Sequence, residues 1–138
     1  MREEIDRSRV YGFLDVAGRK LINARGEEVL LTGWNLGNWL LCEGYMWNAG
    51  DIPAFDRPRR IEQTIRELAG EEYARRFWTA YREQFVTEAD IRLMAEVGYN
   101  SVRIPINARL LLSKGDSASL LDDGFRLLDR AIDWCEQY

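Results

Sequence analysis

Two short apolar runs, set far apart, constrain this chain more than any other feature. Residues 29–35 read VLLTGWN and residues 101–106 read SVRIPI. Each is bounded by turn residues and too short for a helix, so each reads as a strand buried on both faces. Helical patterns fill the stretch between them. Strands joined through helices pair in parallel, as βα units do. The class is therefore α/β.

The helical patterns have readable ends. Residues 59–68 form the first and Gly70 closes it. Residues 71–84 form the second, with Tyr73, Phe77, Trp78 and Tyr81 on or near one stripe. The third begins at Thr87, whose TEAD sequence is a capping box with Asp90 in the usual place of glutamate. Its apolar positions are Ile91, Met94 and Ala95, and Gly98 stands where a C′ glycine belongs. A fourth helix is expected over 122–138, with Phe125, Leu128, Ile132 and Cys135 facing inward. Before the first buried run, breaks at Ala17-Gly18 and Arg25-Gly26 mark hairpin turns.

The expected organisation is one domain over residues 1–138. A charged lead covers 1–12, the hairpin and first strand 13–35, and a long irregular loop 36–57. Helices cover 58–98, the second strand 99–107 and the last helix 121–138. Two parallel strands cannot form a sheet covered on both faces, and the last helix reaches the final residue. The expectation is an architecture incomplete in these residues and prone to self-association through its uncovered strand edge and apolar face.

Composition excludes several classes. The net charge is −4, from 19 Lys and Arg against 23 Asp and Glu, and no basic stripe dominates a segment, which argues against nucleic-acid binding. No apolar run approaches the ~18 residues of a membrane helix. The opening MREEIDRSRV is too charged for a signal-peptide core, so a cytoplasmic location is expected. Cys42 and Cys135 then read as reduced thiols in or near a core. The chain has no histidine, which removes histidine triads, most zinc sites and the common proton shuttle.

Two places carry chemistry. The loop TGWNLGNWLLCEGYMW, residues 32–47, follows the first strand at the end where α/β folds place their sites. Its tryptophans, asparagines and Glu43 suit a sugar, since rings cover the apolar faces of pyranoses and polar groups take the hydroxyls. The other possibility is that Trp34, Trp39 and Trp47 are core and Glu43 is solvated. Arg103 is the second place. An arginine in a buried strand is costly unless an acid waits for it. It either orients a catalytic carboxylate by a forked pair or makes a structural ion pair to a neighbouring strand.

The segments GWNLGNWLLCE, FWTAYREQFVTEADIRLMAEVGYNSVRIPIN and LLDDGFRLLDRAIDWCEQY resemble the N-terminal part of glycoside hydrolase family 5, in its exo-glucanase-like and cellulase-like members. The resemblance runs from about Phe13 to the end. It implies the N-terminal portion of a (β/α)8 TIM barrel, a fold of ~250 residues: the hairpin and the first two βα units. It implies hydrolysis of O-glycosidic bonds in β-linked, glucose-containing oligo- or polysaccharides by a retaining two-glutamate mechanism, without a metal or organic cofactor. Both catalytic glutamates would fall on later strands, so the 138 residues alone are expected to be inactive. By the same resemblance, Arg103 matches the arginine that bonds the nucleophile, and Glu43 matches a carboxylate that contacts sugar hydroxyls. Asn35 and Trp39 match loop positions that shape the substrate end of the barrel. Gly44 stands where such members often have proline, and Asn107-Ala108-Arg109 where an aromatic often follows the strand. A non-catalytic carbohydrate-binding or scaffold protein built on the front of the barrel is the alternative.

Overall fold

The computed structural model describes residues 11–48, 52–115 and 119–138. The lead expected over 1–12 lies almost wholly outside the described residues.

The hairpin forms as its turns require. β1 (Asp15–Ala17) and β2 (Lys20–Ile22) pair antiparallel, with Ala17 opposite Lys20. Gly18 takes a positive φ of 65° at the first of the two turn positions, as mirror-image hairpin turns demand. The Arg25-Gly26 turn then returns the chain, so that Glu28 bridges Ile22 and the Val29 N–H donates to the Leu21 carbonyl at 2.9 Å.

β3 (Gly33–Asn35) follows, then the long loop, then three helices in succession. α1 (Pro58–Ala69) begins with proline at its first turn, where a missing N–H costs nothing. α2 (Glu71–Gln84) packs on α1. α3 (Glu88–Val97) carries both halves of the capping box, with Asp90 Oδ2 accepting from the Thr87 N–H at 2.8 Å. It ends at Gly98 with φ 95°. β4 (Ser101–Arg103) pairs parallel with β3, placing Gly33 opposite Ser101, Trp34 opposite Val102 and Asn35 opposite Arg103. α4 (Asp122–Gln137) then packs on α3. The architecture is mixed α/β, with short sheets and a helical crossover between parallel strands.

Two core clusters hold it together. Leu36, Trp39, Leu40, Val86, Ile91, Leu127 and Ala131 form one. Cys42, Ile61 and Trp78 form the other, flanked by Trp47, Phe55, Ile65 and Tyr81. The loop after β3 therefore supplies core to both sides, which is why so long a connection is ordered over its described part. α2 and α4 are also tied by charge. Glu83 accepts from Arg126 at 3.1 Å and from Arg130.

Four expectations change. The strand expected over 29–35 is confined to Gly33–Asn35 and is not buried on both faces: all three of its residues are exposed, and so are Leu30 and Leu31. The strand at 101–106 stops at Arg103, because Pro105 lacks the N–H that a longer ladder needs; only Ile106 resumes, as a single parallel bridge to Leu40. On α4 the inward stripe is Gly124, Leu127 and Ala131, with Leu128 and Trp134 beside it. Ile132 is 53% exposed. The apolar residues of α4 fill one half of its circumference, a face wider than the stripe that packs, and only the edge bearing Leu127 and Ala131 meets the core. Cys135 is accordingly exposed, whereas Cys42 is buried.

Leu93, Val97 and Ile132 on α3 and α4, with Trp34 and Leu30 around β3, leave apolar surface in solvent. Light scattering across a concentration series should report mass above that of a monomer, and ANS fluorescence should rise on mixing. A monomer at all concentrations without ANS binding would contradict this.

The Glu83 pair predicts an acid response. Hydrogen bonding to Arg130, assisted by the Arg126 and Arg130 charges, holds the Glu83 carboxyl below its ordinary value, against a smaller opposing effect of burial. A depressed folded-state pKa stabilises above the unfolded value, and that stability is lost as pH falls through the folded one. Denaturant midpoints between pH 6 and pH 3 should fall more steeply for the parent chain than for Glu83→Gln.

Candidate functional site

The site begins where the two parallel strands end. In register, Asn35 and Arg103 lie opposite each other, and the Arg103 guanidinium donates through Nη1 to Asn35 Oδ1 at 3.0 Å. Alternation explains how an arginine fits in this strand. Val102 and Ile104 pack against the helix-side core, so Arg103 between them points to the opposite, open face. It is exposed, not buried, and among the described residues it forms no ion pair. An amide oxygen on the neighbouring strand stands where a structural ion pair would place its acid. Nε and Nη2 remain for a carboxylate brought to this face, and a guanidinium binds one best as a fork.

Past the strands the two segments stay together. The Leu36 N–H donates to the Arg103 carbonyl at 2.8 Å, and the Asn107 N–H to the Leu40 carbonyl at 3.0 Å. Between these bonds lies Gly37-Asn38-Trp39. Trp39 points down into the core at 1% exposure, and its indole N–H donates to the Arg82 carbonyl at 2.8 Å. Both faces of its ring are packed, so it supports the loop from beneath and has no surface to offer a ligand.

Asn38 is the residue that composition and motif did not mark. It is buried and takes a positive φ of 63°. Its Oδ1 accepts from the Glu43 N–H at 3.0 Å and from the Trp47 indole N–H at 2.9 Å. Its carbonyl accepts from the Tyr81 hydroxyl at 2.6 Å and lies 3.8 Å from Cys42 Sγ. The available signal was an asparagine after glycine, since asparagine tolerates the left-handed region better than most residues.

Glu43 leads the 3-10 turn Gly44–Trp47. It is half-buried, and the Tyr45 hydroxyl lies 3.5 Å from its Oε2. Gly44 is required here. A Cβ at that position would sit 1.7 Å from the Phe55 carbonyl oxygen. That close approach folds the turn onto Pro53–Phe55 and accounts for glycine where a proline was the expected neighbour of Glu43. Trp47 then enters an aromatic cluster, stacked on Tyr81 at 5.6 Å and edge-on to Trp78 at 5.9 Å. Burial pushes the Cys42 thiol up to about 11, partly opposed by the Arg82 charge, and desolvation also raises the Tyr81 phenol. Both groups are neutral packing partners at ordinary pH.

The structure therefore joins Asn35 to Arg103 directly, while no hydrogen bond or ion pair among the described residues joins Glu43 to Arg103. Trp34, on the helix-side face, is 56% exposed and meets Tyr99 edge-on. Among the described residues no group of three His, Cys, Asp or Glu side chains is placed to hold a metal, and no helix is long and apolar enough to cross a membrane.

No family model matches the chain. Individual proteins do. A beta-xylosidase of Phanerodontia chrysosporium is 30% identical over 126 residues, which is 91% of this chain and 25% of that protein. A probable glucan 1,3-beta-glucosidase A of Aspergillus fumigatus is 31% identical over 113 residues, 78% of this chain and 26% of that protein. Endoglucanase C of Acetivibrio thermocellus is 34% identical over 56 residues, 41% of this chain and 16% of that protein. The chain is similar to glycosidases. It spans about a quarter or less of the length of these relatives.

The Gly44 contact is open to a direct check. Gly44→Ala should lower unfolding free energy by about 1–3 kcal/mol, the range for overpacking a tight site. A denaturant midpoint equal to the parent's would show that the turn does not lie against Phe55.

Proposed function

We propose that this chain is the front of a retaining β-glycosidase of family 5 type that acts on β-linked glucan or xylan chains. The 138 residues supply its hairpin and first two βα units, and the rest of a (β/α)8 barrel closes around them. The observation that carries this proposal is the Asn35–Arg103 pair at the carboxyl ends of adjacent parallel strands. That end is where barrels place their chemistry. The similarity to a beta-xylosidase, an endoglucanase and a glucan 1,3-beta-glucosidase supports the substrate class.

In this mechanism one carboxylate attacks the anomeric carbon while a second carboxyl, ~5–5.5 Å away, protonates the departing oxygen. Water then releases the sugar with the second group acting as base. We assign both carboxylates to positions outside these residues. Arg103 contributes its free N–H groups to the nucleophile, favouring the ionised form and fixing its plane. Asn35 holds the guanidinium in place. Glu43 accepts hydrogen bonds from hydroxyls of the bound sugar.

Two measurements test this. The purified 138-residue chain should not hydrolyse aryl β-glucosides, aryl β-xylosides or soluble glucans above background; turnover that survives repurification and disappears in Glu43→Gln would overturn the assignment of the catalytic pair. In a longer chain that carries both carboxylates, Arg103→Lys keeps the charge but loses the fork. The loss of a charge-assisted hydrogen bond, roughly 1.5–3 kcal/mol, lowers kcat/KM about ten- to a hundredfold, with little change in Tm. A lowered Tm with unchanged turnover would make Arg103 a structural residue only.

A further inference from the structure

Asn38 has no role in that scheme, yet one atom of it clamps both ends of the turn that carries Glu43. Its Oδ1 accepts from the backbone N–H of Glu43, which opens the 3-10 turn, and from the indole of Trp47, which closes it. The backbone under this oxygen is secured separately. Leu36 and Leu40, on either side, bond to the β4 segment, and Trp39 is locked in the core. The amide therefore does little for the path of residues 36–40 and much for residues 43–47.

Few residues can do this. The φ of 63° strains most side chains and is tolerated by glycine, asparagine and aspartate. Of those, only asparagine and aspartate carry an oxygen that can take two N–H donors at about 3 Å. Tyr45, within the same turn, is 75% exposed, and its hydroxyl lies 3.5 Å from Glu43 Oε2. The clamped turn thus carries a half-buried carboxylate beside an exposed phenol.

We infer that Asn38 is the positioning residue for Glu43: it fixes the turn so that the Glu43 carboxylate meets the hydroxyls of a β-linked saccharide. This rests on the glycosidase reading of Glu43. Without the amide, Glu43 must be ordered by the ligand at the moment of binding, and affinity falls by that ordering cost.

The test uses the 138-residue chain and three probes: the β-1,3-linked and β-1,4-linked glucose tetramers and the β-1,4-linked xylose tetramer. Asn38→Gly keeps the backbone conformation and removes the acceptor, whereas Asn38→Asp keeps both. Calorimetric affinities and hydrogen exchange at the Glu43 amide and Trp47 indole are measured for each, and again with Glu43→Gln. Glu43→Gln and Asn38→Gly should each weaken the best tetramer by about tenfold, the weight of one charge-assisted hydrogen bond. The double variant should be no weaker than Glu43→Gln alone, since Asn38 acts through Glu43. Asn38→Asp should stay within about twofold of the parent, with exchange protection retained. Asn38→Gly binding as the parent does, or additive losses in the double variant, would overturn the positioning role while leaving Glu43 as the sugar contact. A parent chain that binds none of the tetramers, or binds them unaffected by Glu43→Gln, would overturn the role of Glu43 and this inference with it. Should Asn38→Gly not fold, Trp47→Phe removes one of the two clamped donors while keeping a smaller aromatic ring; about threefold weaker binding supports the clamp, and unchanged binding overturns it.

Discussion

Everything at the carboxyl side of the parallel strands depends on two backbone hydrogen bonds, Leu36 to Arg103 and Asn107 to Leu40. They carry the pairing past the ends of β3 and β4. The strands themselves are only three residues each. A ladder that short would define direction poorly, and a one-residue slip would turn Arg103 toward the helices. The extension fixes the register, so that Asn35 faces Arg103 and Val102 faces the core. It also brings the loop after β3 over the neighbouring segment instead of letting it stray.

That loop does the work of a core element. Leu36, Trp39 and Leu40 enter one hydrophobic cluster and Cys42 enters the other. Full burial of an aromatic or aliphatic side chain is worth roughly 1.5–3 kcal/mol, which offsets the entropy of ordering a connection this long. The polar groups of the loop need partners once it is buried, and Asn38 provides them. Apolar anchors set where the loop lies, while amide hydrogen bonds set its shape.

Much of this was legible in the chain. The hairpin turns, the capping box at Thr87 and Asp90, and the closing Gly98 depend on backbone rules that act over a few residues, and they appear where those rules place them. The α2 boundaries agree for the same reason. The inward stripe of α4 was only partly legible, because its apolar half-face is wider than the contact and only packing against α3 and the 108–111 segment selects the Leu127 and Ala131 edge. For Trp39 and Glu43 the sequence leaves open sugar contact or, respectively, core and solvent; the structure packs Trp39 in the core and leaves Glu43 half-exposed. Residue type does not record which way a loop turns. Asn38 escaped notice because its importance is a φ value and two donors that arrive from five and nine residues away.

The sequence by itself determined the local structure: where helices begin and end, which turns reverse, that each of the two apolar runs holds a strand joined to the other through helices, and that a loop rich in tryptophan, asparagine and glutamate follows the first. These follow from dihedral preferences and short-range capping. Tertiary structure alone decided which partner Arg103 takes, that Trp39 is core, and that Gly44 must lie against the Phe55 carbonyl. Each of those depends on a contact between segments distant along the chain or folded back across a loop. The energy of such a contact is set by packing and register, which no single residue carries.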